Sequence, residues 1–195
     1  VTSALAHEGK TTTSLCLARV AAMSGLRVAL IDCDLRRQSV AEALGLRAGS
    51  GLVRTLTENL AWADVLQQDE ETSLLVLAGA TASFTPLDVF SSRAMASLMA
   101  EMREAFDFIV LDCAPVLHVA DTRIAAGHAD VTLMVVRADK TPVAAASSIE
   151  VTGEGVDGVV GQPDAVGAGL THDAFEGFAG VPTQAVTLAA GTGPI

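Results

Sequence analysis

The 195 residues contain no tyrosine and one tryptophan, Trp62, and aromatics make up only 4% of the chain. No phenol chemistry can take place on a side chain of this sequence. Cations are scarce beside acids, 12 Lys and Arg against 23 Asp and Glu for a formal charge of -11, and none follows Lys140. That balance excludes nucleic acid as a main ligand, because binding a phosphate backbone draws on clustered cations that release counterions. Three cysteines, Cys16, Cys33 and Cys113, stand at neither disulfide-framework nor zinc-ligand spacing, so small buried thiols in a reducing compartment are expected. No apolar run approaches the roughly 20 residues of a membrane helix, and no basic-then-apolar leader precedes a cleavage site. The expectation is a soluble, cytosolic piece.

What is present is apolar: half of the residues are hydrophobic, enough for one α/β domain with a sizeable core. Residues 4–11, Ala-Leu-Ala-His-Glu-Gly-Lys-Thr, meet the phosphate-loop pattern of a small residue, four free positions and Gly-Lys-Thr. Short apolar runs ending in aspartate recur at 28–32 and 109–112. In a parallel sheet such runs deliver their carboxylates to the edge where the loop lies. Only residues 1–3 precede the loop, whereas a phosphate loop hangs from a buried strand of about five residues. A fragment with a clipped first strand is expected.

Along the chain, 11–24 place Leu15, Ala18, Ala21 and Ala22 on one helical face, with Gly25 positioned as a left-handed cap. The N-terminus of this helix would present free N–H groups and a positive dipole end to an anion in the loop. Residues 28–31 read as a buried parallel strand, followed by Asp32, Cys33, Asp34, Leu35 and Arg36. An isolated Asp-x-Asp is more often a turn or cap. Beside a phosphate loop it reads as magnesium chemistry, since Mg²⁺ on a nucleotide is held through one or two carboxylates and a loop hydroxyl, here Thr11.

Residues 45–66 alternate short helical patches with breaks at Gly49 and Gly51; Leu52, Leu56, Leu60, Trp62 and Leu66 read as packing contacts. An apolar run at 74–77 leads into a small-residue loop, 79–86. Ser91 or Ser92 caps a helix whose Met95, Leu98, Met99 and Met102 form a core stripe. Residues 108–111 form a strand ended by Asp112; 124–126 lie in a short helix and 131–136 form a further buried strand. Thr141 and Pro142 start another helix in the cap-then-proline manner. Asp121, Asp130 and Asp139 read as caps, and His118 and His128 as surface or satisfied histidines. Residues 156–160 fit a last strand, whereas 161–195 have the composition of a flexible tail. The domain is therefore set at 1–160 and a low-order tail at 161–195.

Three stretches together resemble a known family: the loop at 3–11, Val-Ala-Leu-Ile-Asp-Cys-Asp-Leu-Arg at 28–36, and Phe-Asp-Phe-Ile-Val-Leu-Asp-Cys-Ala-Pro-Val-Leu at 106–117. They are similar to the Walker A, A′ and B motifs of the bacterial tyrosine kinases (BY-kinases) of exopolysaccharide and capsule export, a likeness running over roughly 1–160. It implies a three-layer α/β/α P-loop fold with a mainly parallel sheet, and transfer of the γ-phosphoryl of ATP to protein tyrosines with Mg²⁺. On the family's pattern Lys10 contacts the β and γ phosphates within a nucleotide-binding set of Ala6, His7, Glu8, Gly9, Lys10, Thr11, Thr12 and Arg36. Thr11, Asp32 and Asp112 hold the metal, Asp34 orients or deprotonates the phenol, and Arg36 gives electrostatic support. The implied partners are a membrane-embedded polysaccharide co-polymerase or activator segment, a tyrosine-bearing protein acceptor and further copies of the chain, at the inner face of the bacterial plasma membrane.

Three departures accompany the likeness. Ala6 and His7 stand where the family has Pro-Gly, removing a glycine that eases approach of backbone to phosphate and implying weaker nucleotide binding. The family's C-terminal tyrosine cluster has no counterpart, so an acceptor must lie elsewhere. Gly161 and Gln162 follow Val160 where the family has an Asn that helps seat the base. These departures motivate a second reading, a non-catalytic or defunct nucleotide switch. A third, a cell-division or partition ATPase, shares the fold but requires an additional early lysine in the loop, and residues 3–8 hold none.

Overall fold

A computed structural model describes residues 1–37, 39–47, 49, 51–58, 60–79, 87–137, 140–142 and 145. The expected strand at 156–160, the tail, the loop at 80–86, Asp139 and, except for Ala145, the helix beyond Pro142 lie outside these residues.

Two apolar runs build the centre. β2 (Val28–Asp32) is buried at every position, its apolar residues covered on both faces and Asp32 buried at its end. β5 (Phe108–Asp112) runs parallel beside it, in a register that sets Asp32 opposite Asp112. On the other side of β2 lies parallel β4 (Leu75–Leu77), edged by antiparallel β3 (Gln67–Gln68). β3 has no signature in the sequence, since its two glutamines carry no apolar alternation. β1 (Thr2–Ser3) pairs parallel with β6 (Met134–Val135). The Cys113 N–H donates to the Val1 carbonyl at 2.9 Å and the Val1 amine to the Leu111 carbonyl at 2.7 Å, so β1 continues the sheet along the free side of β5. The buried strand expected at 131–136 is thus only two residues long, with residues 131–134 partly exposed.

Helix α1 (Lys10–Met23) packs Ala18, Ala21 and Ala22 against one face of the sheet, with Val28, Leu30, Val76 and Val110. Small residues let it lie close. It stops where Gly25 takes φ +90°, a conformation that costs glycine nothing. The other face is covered by α5 (Arg93–Ala105), whose Met95, Leu98, Met99 and Met102 are all buried against Ala29, Ile31 and Leu111. Ser92 caps α5 by accepting the Met95 N–H. Trp62 packs on Phe106, ring centres 5.9 Å apart, and its N–H donates to Glu101; it is a packing residue, as read.

The short elements are α2 (Ser39–Leu44), α3 (Gly51–Glu58), α4 (Leu87–Phe90) and α6 (Asp121–Ala126). Gly51 opens α3 rather than breaking it, in a place where a Cβ would stand 3.3–3.5 Å from Ala78, Leu77 and Val65 atoms. Asp121 is the first residue of α6, with Ala120 at the cap position; its carboxylate takes Arg36 instead. Asp130 accepts Arg103, and His128 bonds the Phe90 carbonyl. His118 is exposed. Of the three thiols Cys33 and Cys113 are buried, whereas Cys16 faces out on α1.

Candidate phosphate-loop site

The site forms where β1, β2 and β5 end together and α1 begins. Its first floor is the buried acid pair. Asp32 and Asp112 are side by side in register with no exposed surface, because each ends an apolar strand whose neighbours exclude water. Asp112 is held by two α1 hydroxyls one helical turn apart: Thr11 Oγ1 donates to Oδ2 at 2.8 Å and Ser14 Oγ to Oδ1 at 2.9 Å. Thr11 was foreseen. Ser14 was not, although its position three residues after Thr11 puts it on the same helix face.

Asp32 is less well served. Its Oδ1 accepts the Asp34 N–H at 3.1 Å, while Oδ2 is buried with no hydrogen-bond partner. Burial, and then the charge of Asp112, push the Asp32 carboxyl up to about 8. Burial also raises Asp112, against the favourable pull of Lys10, Thr11 and Ser14. Gly79 makes this crowding possible: a Cβ there would stand 2.6 Å from the Asp32 carbonyl oxygen and 3.2 Å from its carboxyl carbon. No other residue fits without displacing the acid.

Two buried carboxylates, one lacking a partner, beside a hydroxyl suit a divalent cation. Among the described residues no cluster of three or more His, Cys, Asp or Glu can cage a metal. Carboxylate and hydroxyl oxygens fit a hard ion such as Mg²⁺ that takes its remaining ligands from water and phosphate; Thr11, Asp32 and Asp112 are the residues that would hold it.

Above the acids lies the loop. Lys10, mostly buried, sets Nζ 3.1 Å from Asp34 Oδ2, joining the loop lysine to the second acid of the Asp-x-Asp pair. Gly9 takes φ +94° and His7 φ +64°. Histidine is among the non-glycine residues that adopt this left-handed conformation most readily, so the backbone at position 7 keeps a turn that glycine would favour. Ala6, His7, Gly9 and Thr12 are exposed along the rim, and Glu8 turns inward to burial. The first N–H groups of α1 have no partner within the helix and form an anion-binding end. Arg36 is half exposed at the margin, its Nη2 3.5 Å from buried Asp121, so it flanks the acids rather than joining them.

Residues 7–149 match the family model of the AAA domain, well over half of the chain. The chain belongs to that family. Within it, this AAA domain is of the bacterial tyrosine kinase type. It is 36% identical over 141 residues to the tyrosine-protein kinase YwqD of Bacillus subtilis, covering 72% of this chain and 60% of that protein. It is 34% identical over 145 residues to the succinoglycan biosynthesis transport protein ExoP of Rhizobium meliloti, covering 73% and 18%. The crystal structure of the VpsO kinase domain superposes with a TM-score of 0.70 at 31% identity, over 78% of this chain and 79% of that one. The AAA domain thus spans 60% of the length of YwqD and 18% of that of ExoP.

Proposed function

We propose that this domain is an ATP-dependent protein tyrosine kinase that regulates polymerisation or export of an exopolysaccharide or capsule. The observation that carries the reading is the Lys10–Asp34 contact at 3.1 Å above the buried Asp32–Asp112 pair. A lysine that reads phosphate and an acid that can receive a proton share one point, with a cation site beneath them. The names of the relatives, a tyrosine-protein kinase and a succinoglycan transport protein, support the acceptor and the pathway class.

In this reading Lys10 leaves Asp34 for the β and γ phosphates when ATP enters. The freed Asp34 carboxylate orients the acceptor phenol and takes its proton. The phenol oxygen forms a bond to the γ phosphorus as the bond from that phosphorus to the β–γ bridging oxygen breaks, leaving ADP. Mg²⁺, when bound, neutralises charge on the transferring group. Thr11, Asp32 and Asp112 would hold the ion, and Ser14 fixes the Asp112 carboxylate through its bond to Oδ1. Little covalent assistance is needed; positioning and charge neutralisation supply the rate. With no tyrosine among the 195 residues, the acceptor is another protein or another part of a longer chain. The partners are an activator segment of a polysaccharide co-polymerase and further copies of the domain, at the inner face of the membrane. No helix among the described residues is long and apolar enough to cross a membrane itself.

The test is phosphotyrosine formation on a glutamate–tyrosine copolymer with Mg-ATP and a supplied activator segment. Lys10→Met abolishes nucleotide binding. Asp34→Asn preserves binding and slows transfer by about 10²–10⁴-fold, the range for loss of a positioned general base. Nucleotide binding without any transfer, even with the activator present, would instead favour the non-catalytic switch.

A further inference from the structure

Glu8 sits inside a loop meant for an anion, where a free carboxylate would repel the ligand. Its side chain is turned away and used up. Glu8 is 8% exposed; Oε2 accepts the Leu5 N–H at 2.6 Å, and Oε1 accepts the hydroxyl of Thr141. Among the described residues Glu8 has no ion pair with Lys or Arg. The first bond closes the loop on itself and the second ties it to a segment far away in the chain.

That segment is the turn after β6. The Thr141 hydroxyl oxygen accepts the Arg137 N–H at 3.0 Å while donating to Glu8. The N–H groups of Lys140 and Thr141 donate to the Arg137 carbonyl at 3.2 and 3.0 Å, so Thr141 and Arg137 are held together. Arg137 adds a second grip, its Nη1 lying 3.3 Å from the carbonyl of His7, the residue with positive φ. Arg137 and Thr141 therefore touch the loop at left-handed His7 and at Glu8, the residue after it.

We propose that Glu8 is a positioning residue and that Thr141 and Arg137 are its partners: the turn after β6 holds residues 6–9 in the shape that receives a triphosphate, and so sets nucleotide affinity. The proposal rests on the nucleotide-binding reading of the same site. It assigns Glu8 to anchoring the loop rather than to touching phosphate or activating a nucleophile. It also explains how a loop with His7 in a glycine-like conformation keeps that conformation before ligand arrives: its neighbours over-determine it.

The experiment measures the affinity of fluorescent ADP and ATP analogues with Mg²⁺ for the whole 195-residue chain, beside its ligand-free melting temperature. Wild type binds and Lys10→Met does not; failure of wild type to bind overturns the nucleotide reading and this proposal with it. Given that binding, Thr141→Val weakens affinity about tenfold, as loss of pre-organisation does, while Thr141→Ser restores it and the melting temperature stays unchanged. Glu8→Ala removes both bonds of the carboxylate, so adding Thr141→Val to it costs little beyond Glu8→Ala alone, because the Thr141 bond is already gone. Unchanged affinity in Thr141→Val, strictly additive losses, or a loss that follows melting temperature without rescue by serine would each overturn the proposal.

Discussion

The two ends of one strand pair carry opposite solutions to the same electrostatic problem. At the entry of β2 and β5, Arg27 and Asp107 meet in the open: the guanidinium bonds both carboxylate oxygens at 2.6–3.2 Å, and the Arg27 N–H adds a bond of 2.9 Å. These bonds hold the Asp107 carboxyl down at about 2. At the exit of the same strands, five residues later, Asp32 and Asp112 are buried beside each other, and the Asp32 carboxyl is pushed up to about 8. The first end is satisfied by the protein alone and serves the fold. The second is left incomplete, and groups left incomplete in a buried site are where a ligand can do what the protein does not.

That contrast can be broken experimentally, most severely at Asp112. Asp112→Asn is expected to cut phosphate transfer by about a hundredfold or more while leaving the melting temperature of the metal-free protein equal or higher, because it removes a buried charge beside another. Activity and melting curves on one preparation check it; a large fall in melting temperature would mean that Asp112 belongs to the fold as Asp107 does.

Gly79→Ala comes next. The added methyl has no space beside Asp32, so stability should drop by about 1–3 kcal/mol, the usual cost of overpacking, and Mg²⁺-dependent nucleotide binding should weaken with it. Denaturant midpoints and nucleotide titrations read the two effects.

A smaller effect is the pH dependence. Asp32 has its folded value raised from 3.8 to about 8, so the folded protein retains a proton that the unfolded chain has released. Its contribution is complete below about pH 4 and is lost as pH rises toward 8, with Asp112 acting in the same direction. Without Mg²⁺, thermal stability should therefore fall across that window, and Asp32→Asn should flatten the profile. A metal-free protein that grows more stable from pH 4 to 8 through these groups would contradict the proposed strain.

The least change is expected at the satisfied end. Arg27→Ala should leave transfer unchanged and shift the melting temperature only slightly, with the difference shrinking in high salt, since exposed ion pairs contribute little. A marked loss of activity would erase the distinction between the two ends.

Much of this was legible from residue order. The Gly-Lys-Thr loop, the two acid-tipped strands, the Ser92 cap and the methionine stripe follow local rules of spacing and capping, and they stand where spacing puts them. Ser14 was legible and overlooked, being one turn from Thr11. β3 was not legible, because two polar residues pair with β4 only by virtue of the edge that β4 offers. Nor was the role of Asp121, which looked like a cap and serves Arg36, since its partner stands 85 residues away.

By itself the sequence determined the chemistry available: which side chains can face a phosphate, that acids end the strands, and that no phenol of this chain can be the acceptor. Tertiary structure alone decided how those groups are stressed and held. Register brought Asp32 against Asp112, the bare Cα of Gly79 left them room, and a turn more than 130 residues downstream closed on Glu8. Local spacing governs what a few consecutive residues can do, whereas burial and charge proximity depend on segments that meet only when the chain is folded.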